Sequence, residues 1–87
     1  MTIPSHGTPE FWRLYRNLPA DVRLLAQKNY RLWSANAFHP SLQFKPIGKP
    51  NWSARVGDHY RAVGVESPHG ILWYWIGTHA EYDRMMQ

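Results

Sequence analysis

The sequence predicts a single α+β domain over residues 1–87. An N-terminal helical hairpin packs on an antiparallel sheet of three to four strands, and a short helix closes the chain. Three observations carry this prediction. Apolar side chains between residues 8 and 35 recur at helical spacing. Side chains from residue 52 to 66 alternate with period two. The run ILWYWI (71–76) is apolar on both faces, as a strand covered on both sides should be, and a capping motif follows it.

Residues 1–7 hold Pro4, Ser5 and Gly7 and read as loose chain. Thr8, Pro9 and Glu10 then mark a helix start: a capping hydroxyl, a proline suited to the first turn and an acid at the positive end. Phe11, Leu14, Tyr15 and Leu18 form one stripe, and Pro19 ends the helix. A second helix begins at Pro19 or Ala20. Its apolar face is Val22, Leu25, Ala26, Leu32 and Trp33, with Asn29 in the same sector; Arg23, Gln27, Lys28 and Arg31 lie opposite. NAFHPSL (36–42) reads as a loop. QFKPI, interrupted by Pro46, suits an edge strand, and GKPN (48–51) a turn.

In WSARV, Trp52, Ala54 and Val56 share one face, Ser53 and Arg55 the other. Gly57-Asp58 is a hairpin turn signal. In YRAVGVE, Arg61, Val63 and Val65 face one way. SPHG (67–70) turns the chain into the apolar run, which Gly77 interrupts. Thr78-His79-Ala80-Glu81 matches the capping box and starts the last helix.

The chain has no cysteine, so neither a disulfide framework nor a thiolate metal site is expected, which suits a reducing cytoplasm. Its start lacks the basic and apolar regions of a signal peptide. The longest apolar run is far too short to span a membrane. The net charge of +4 is uneven: residues 1–36 carry five Lys/Arg against two acids, 37–66 four against two, and 67–87 one against two. A basic front suits a polyanion or an acidic protein, or is simply a solvated surface. The five histidines are scattered without metal-ligand spacing, and no cofactor motif is present.

The candidate chemistry gathers in two places. His79 and Tyr82, three apart, share one side of the last helix, where a neutral imidazole could take a proton or merely pack on the sheet. Glu81 reads as the partner of the Thr78 amide rather than a catalyst, and Asp83 as a solvated charge. Arg55 and Arg61 flank the Gly57 turn. Each must meet solvent, a ligand or an acid such as Asp58 or Glu66.

Together, FWRLYRNLP, HPSLQFKPIG, WSARVGDHYRAVGV and WYWIGTHAEYDRM resemble the RelE/ParE superfamily of type II toxin–antitoxin toxins, most closely a short RelE-like branch, over roughly residues 8–85. The resemblance implies a twisted sheet under a helical hairpin. It also implies either a ribosome-associated endonuclease that cuts mRNA without a metal, leaving a cyclic phosphate and a 5′-OH, or a non-enzymatic inhibitor of DNA gyrase. An inactive module that only binds its antitoxin is a third alternative. In each case a cognate antitoxin protein is the implied partner. Matched by motif, Arg61, Arg55, His79 and Tyr82 are the implied catalytic set, with Lys45, Lys49, Arg23, Lys28 and Arg31 as RNA-binding candidates. Two departures stand out. No clear strand precedes the hairpin, and only residues 1–5 could supply one; lysines near the site are also few.

Overall fold

The computed structural model describes residues 3–87. Its elements are β1 (Ser5–Gly7), α1 (Pro9–Arg16), α2 (Ala20–Ala35), β2 (Lys45–Pro46), β3 (Asn51–Val56), β4 (Tyr60–Ser67), β5 (Gly70–Thr78) and α3 (His79–Met85). They form one five-stranded sheet in the order β1-β5-β4-β3-β2. The predicted meander is present as four antiparallel strands, β2 to β5.

The fifth strand corrects the sequence. Residues 5–7, expected to be loose, pair in parallel with β5, Ser5 opposite Ile71 and Gly7 opposite Trp73. The remainder of that expectation, at residues 1–2, lies outside the described residues. β1 has no apolar pattern: backbone pairing recruits it, and the Ser5 hydroxyl lies 2.7 Å from the Tyr30 hydroxyl of α2. Ile71 N–H also donates to the Pro4 carbonyl at 3.0 Å. Gly70 makes that approach possible: its φ of 111° is one that L side chains avoid, and a Cβ there would meet the Pro4 carbonyl. The ILWYWI strand is therefore interior, although the middle place falls to β4. Gly77 does not end it; β5 runs on through Thr78.

The helices start where the sequence indicates. Thr8 Oγ1 accepts from the Phe11 amide at 3.1 Å, and α1 carries Pro at its start. Both helices lie on one sheet face. Leu18, Val22 and Trp33 are buried there against Ala54, Val56, Ala62, Ile71, Trp73 and Ile76. Trp33 meets Phe44 and Trp73 edge-to-face, with centroids 5.6 and 5.5 Å apart. This aromatic centre gives a short chain enough buried area for a stable core. At the β3–β4 hairpin, Gly57 takes a φ of 66° directly over Leu25, leaving no room for a side chain. The expected loop at 36–42 ends in a short 3-10 turn, Pro40–Leu42, which buries Leu42. Among the described residues, no helix is long and apolar enough to cross a membrane.

The capping box at α3 forms in full. The Thr78 amide donates to Glu81 Oε1 at 2.9 Å, while the Glu81 amide donates to Thr78 Oγ1 at 3.1 Å. The Thr78 amide, and after it the Thr78 hydroxyl, hold the Glu81 carboxyl below the ordinary carboxylate range, with a smaller pull from Arg84. A lowered folded value sets the sign. The cap stabilises α3 fully above the ordinary glutamate range and loses that contribution as pH falls through the lowered value. Protection factors of the α3 amides, followed from neutral to acid pH, should therefore fall before those of β4 do.

Candidate active site

The second face of the sheet carries the site. Strand pleating sends Ser53 and Arg55 of β3, and Arg61 and Val63 of β4, away from the helices. Register places Arg55 directly opposite Arg61, and Arg61 opposite Gly77. The absence of a side chain at Gly77 makes room for the Trp75 ring, whose Cζ2 would lie 2.6 Å from a Cβ there, and for the Glu81 carboxylate. Tyr82, on α3, packs against Arg61. Its ring centroid lies 5.1 Å from the Arg61 guanidinium carbon.

Arg61 is 3 % exposed. Its Nη2 donates to Ser53 Oγ at 3.2 Å, and its Nε–H has no acceptor. Among the described residues, no acid forms an ion pair with it. A buried cation held by one serine hydroxyl and an aromatic face is costly, and such uncompensated groups concentrate at functional sites. Facing it across the strands, Arg55 behaves differently. Half-buried, it donates through Nε to the Gly57 carbonyl at 3.0 Å and pairs with Asp58. That pairing, one of the two alternatives the sequence offers, relieves the repulsion between two arginines in direct register.

His79 is exposed at the first position of α3. Its amide donates to the His59 carbonyl at 2.7 Å, which ties the start of α3 to the β3–β4 hairpin. Its Nδ1 lies 3.1 Å from Asp83 Oδ2. Asp83, expected to be merely solvated, is thus the residue that orients the imidazole. With Nδ1–H donated to Asp83, Nε2 presents its lone pair outward. The His79 and Tyr82 rings sit 5.9 Å apart, on the shared helix side that their spacing predicts. Tyr82 is buried, and one ring face is occupied by Arg61, so stacking on a nucleic-acid base is closed to it in this arrangement.

The structure brings Arg55, Arg61, His79 and Tyr82 to one end of one face. Lys45, opposite Ser53 in the register, lies on the same face at the β2 edge and is exposed. Lys49 sits in the β2–β3 turn, at the far end of β3 from Arg55. The α2 cations lie elsewhere, because α2 packs on the opposite face. Lys28 and Arg31 are exposed there, and Arg23 donates to the Leu18 carbonyl at 2.6 Å, serving the α1–α2 junction. The α2 cations and the catalytic set therefore stand on opposite sides of the sheet, with the layer of strands between them.

Ser53 is the residue that sequence reasoning misses. A serine in an alternating strand reads as wet, yet it is 0 % exposed because α3 covers it. An apolar cavity of about 330 Å³ lies in the helix layer, lined by residues such as Phe11, Trp12, Tyr15 and Trp33. Arg55 alone of the catalytic candidates touches it, so it is a separate feature. No group of three or more His, Asp or Glu side chains converges among the described residues, and no residue is assigned to a metal.

No protein-family model matches the chain. No curated protein matches it by sequence. Solved structures do match by fold. The RelB–RelE antitoxin–toxin complex from Methanococcus jannaschii superposes with a TM-score of 0.71 at 14% identity, covering 93% of this chain and 98% of that one. The isolated Escherichia coli RelE toxin gives 0.65 at 11%, covering 98% and 99%. A copper-bound mutant toxin from Helicobacter pylori gives 0.60 at 15%, covering 91% and 97%. The chain has a RelE-like toxin fold.

Proposed function

We propose that this chain is the toxin of a type II toxin–antitoxin system, acting in the cytoplasm as a ribosome-associated mRNA endonuclease and silenced by a cognate antitoxin. The observation that carries this reading is the buried, acid-free guanidinium of Arg61 beside an exposed His79–Asp83 pair. The RelE-like fold supports it.

RNA brings its own nucleophile. His79 Nε2 takes the proton of the 2′-OH, and the 2′ oxygen attacks the adjacent phosphorus. The P–O5′ bond breaks, and O5′ takes a proton from water. The products are a cyclic phosphate and a 5′-OH. Asp83 fixes the tautomer that this step needs. Arg55, the half-buried cation, leaves Asp58 to meet the phosphoryl oxygens. Arg61 acts from one layer beneath as a fixed positive charge in a dry setting, where it needs no reorganisation as negative charge develops. Tyr82 keeps water off Arg61 and backs the His79 ring.

His79→Ala should cut message about 100-fold more slowly than wild type, or slower still, in an in vitro translation assay read by toe-printing. Cutting at the wild-type rate would remove His79 from the mechanism. Wild-type protein that cuts no message but blocks supercoiling by DNA gyrase would replace the nuclease with the gyrase alternative.

A further inference from the structure

Ser53 has more partners than its size suggests. Its hydroxyl lies 3.2 Å from Arg61 Nη2 and 3.4 Å from the Tyr82 phenol oxygen. These are the hydrogen bonds that either side chain makes through its polar end among the described residues. A serine hydroxyl has one hydrogen and two acceptor sites. Arginine can only donate, so one acceptor site of Oγ is committed to Arg61. The other acceptor site takes the Tyr82 phenol O–H. Across the strands stand Val63, fully buried, and Lys45, exposed. Val63 has no polar side-chain atom, so it cannot take over this role.

We propose that Ser53 is the positioning residue of the site: it holds the Arg61 guanidinium and the Tyr82 phenol as one unit, and through Tyr82 sets where Arg61's charge lies relative to His79. Its catalytic consequence rests on the nuclease reading; the placement itself does not. A residue of purely packing value would be replaced without loss by alanine, which fits the same space. Removing the hydroxyl here instead strips the polar partner from two buried groups at once. Small displacements of a charge near reacting atoms are amplified in rate, since a shift of about 1 Å can cost on the order of 100-fold.

Ser53→Ala is expected to lower the maximal rate of message cutting by about 10- to 100-fold while leaving the half-saturating ribosome concentration unchanged. Ser53→Thr, which keeps the hydroxyl, should recover most of the loss. In a Tyr82→Phe background, Ser53→Ala should cost less than it does in the wild type, because the phenol is already gone. A second readout needs no RNA. In protein labelled with ¹³Cζ-tyrosine, the Tyr82 resonance, assigned by its disappearance in Tyr82→Phe, should move in Ser53→Ala and lie near its wild-type position in Ser53→Thr. Thermal denaturation identifies any variant that fails to fold, and Ser53→Ala alone decides the matter if the added methyl of threonine is not accommodated. An unmoved Tyr82 resonance, or cutting by Ser53→Ala at the wild-type rate, overturns the proposal. If wild-type protein cuts nothing, the nuclease reading falls, and the resonance decides whether Ser53 holds Tyr82.

Discussion

Arg61→Met is expected to yield a more stable protein that no longer cuts message. The two effects have one cause. Arg61 keeps a full charge at a position 3 % exposed, with one hydrogen bond to Ser53, a π face over it and an Nε–H that no acceptor meets. Methionine fills much of the same volume without charge or donors. Replacing buried ionic groups by well-packed apolar ones of similar volume commonly stabilises by about 1–4 kcal/mol. The fixed positive charge disappears with the guanidinium, and losing one such electrostatic contribution typically slows turnover by about 100- to 1000-fold. Urea unfolding and toe-printing on the same preparation check both halves. A variant that is destabilised, or that remains active, would show that Arg61 is an ordinary structural residue.

The largest loss of stability is expected from Trp73→Ala. Trp73 is buried in the helix-facing layer, 5.5 Å from Trp33 and 6.2 Å from Phe44 by ring centroids. Its carbonyl receives the Thr8 amide at 2.9 Å, so the same residue anchors the entry to α1. Truncating a buried tryptophan costs about 3–5 kcal/mol. Total stability for a domain is only about 5–15 kcal/mol, and small domains lie towards the low end. Each kcal/mol moves Tm by about 4–8 °C at this size. Trp73→Ala should therefore be largely unfolded at ordinary growth temperature, as scanning calorimetry or circular dichroism would show. Trp12, at 46 % exposed, is the matched control and should cost much less. Equal losses at the two positions would mean that the aromatic layer does not carry the fold.

Both helices and the four-stranded meander were legible because their signals are periodic. Phe11, Leu14 and Tyr15, or Ala54 and Val56, repeat at spacings that only one local geometry satisfies. The capping box was legible because Thr78 and Glu81 satisfy each other within four residues. β1 was not. Ser5, His6 and Gly7 show no apolar periodicity, and their backbone groups gain meaning from β5, more than sixty residues later. The site divides in the same way. Alternation gave each arginine a side of its own strand, register put Arg55 and Arg61 on one face, and helical spacing put His79 beside Tyr82. The contacts that give them chemical meaning are mostly tertiary. No local pattern signals that α3 will fold back to bury Ser53, or that Arg61 will lie beneath Tyr82. The His79–Asp83 pair was within reach of i, i+4 reasoning, but an exposed helical acid gives little reason to choose it.

The place of β5 has a consequence in time. It holds β1 along one edge and β4 along the other, and it continues directly into α3. Synthesis runs from the N-terminus, so β5 is made after the strands and helices that await it. Before then the α1–α2 hairpin lacks the part of its floor that Ile71, Trp73 and Ile76 supply, β1 has nothing to pair with, and Arg61 lies uncovered. Its closing contacts are also those of greatest sequence separation, the slowest kind to form. In a growing chain, the candidate site exists only once α3 has followed β5.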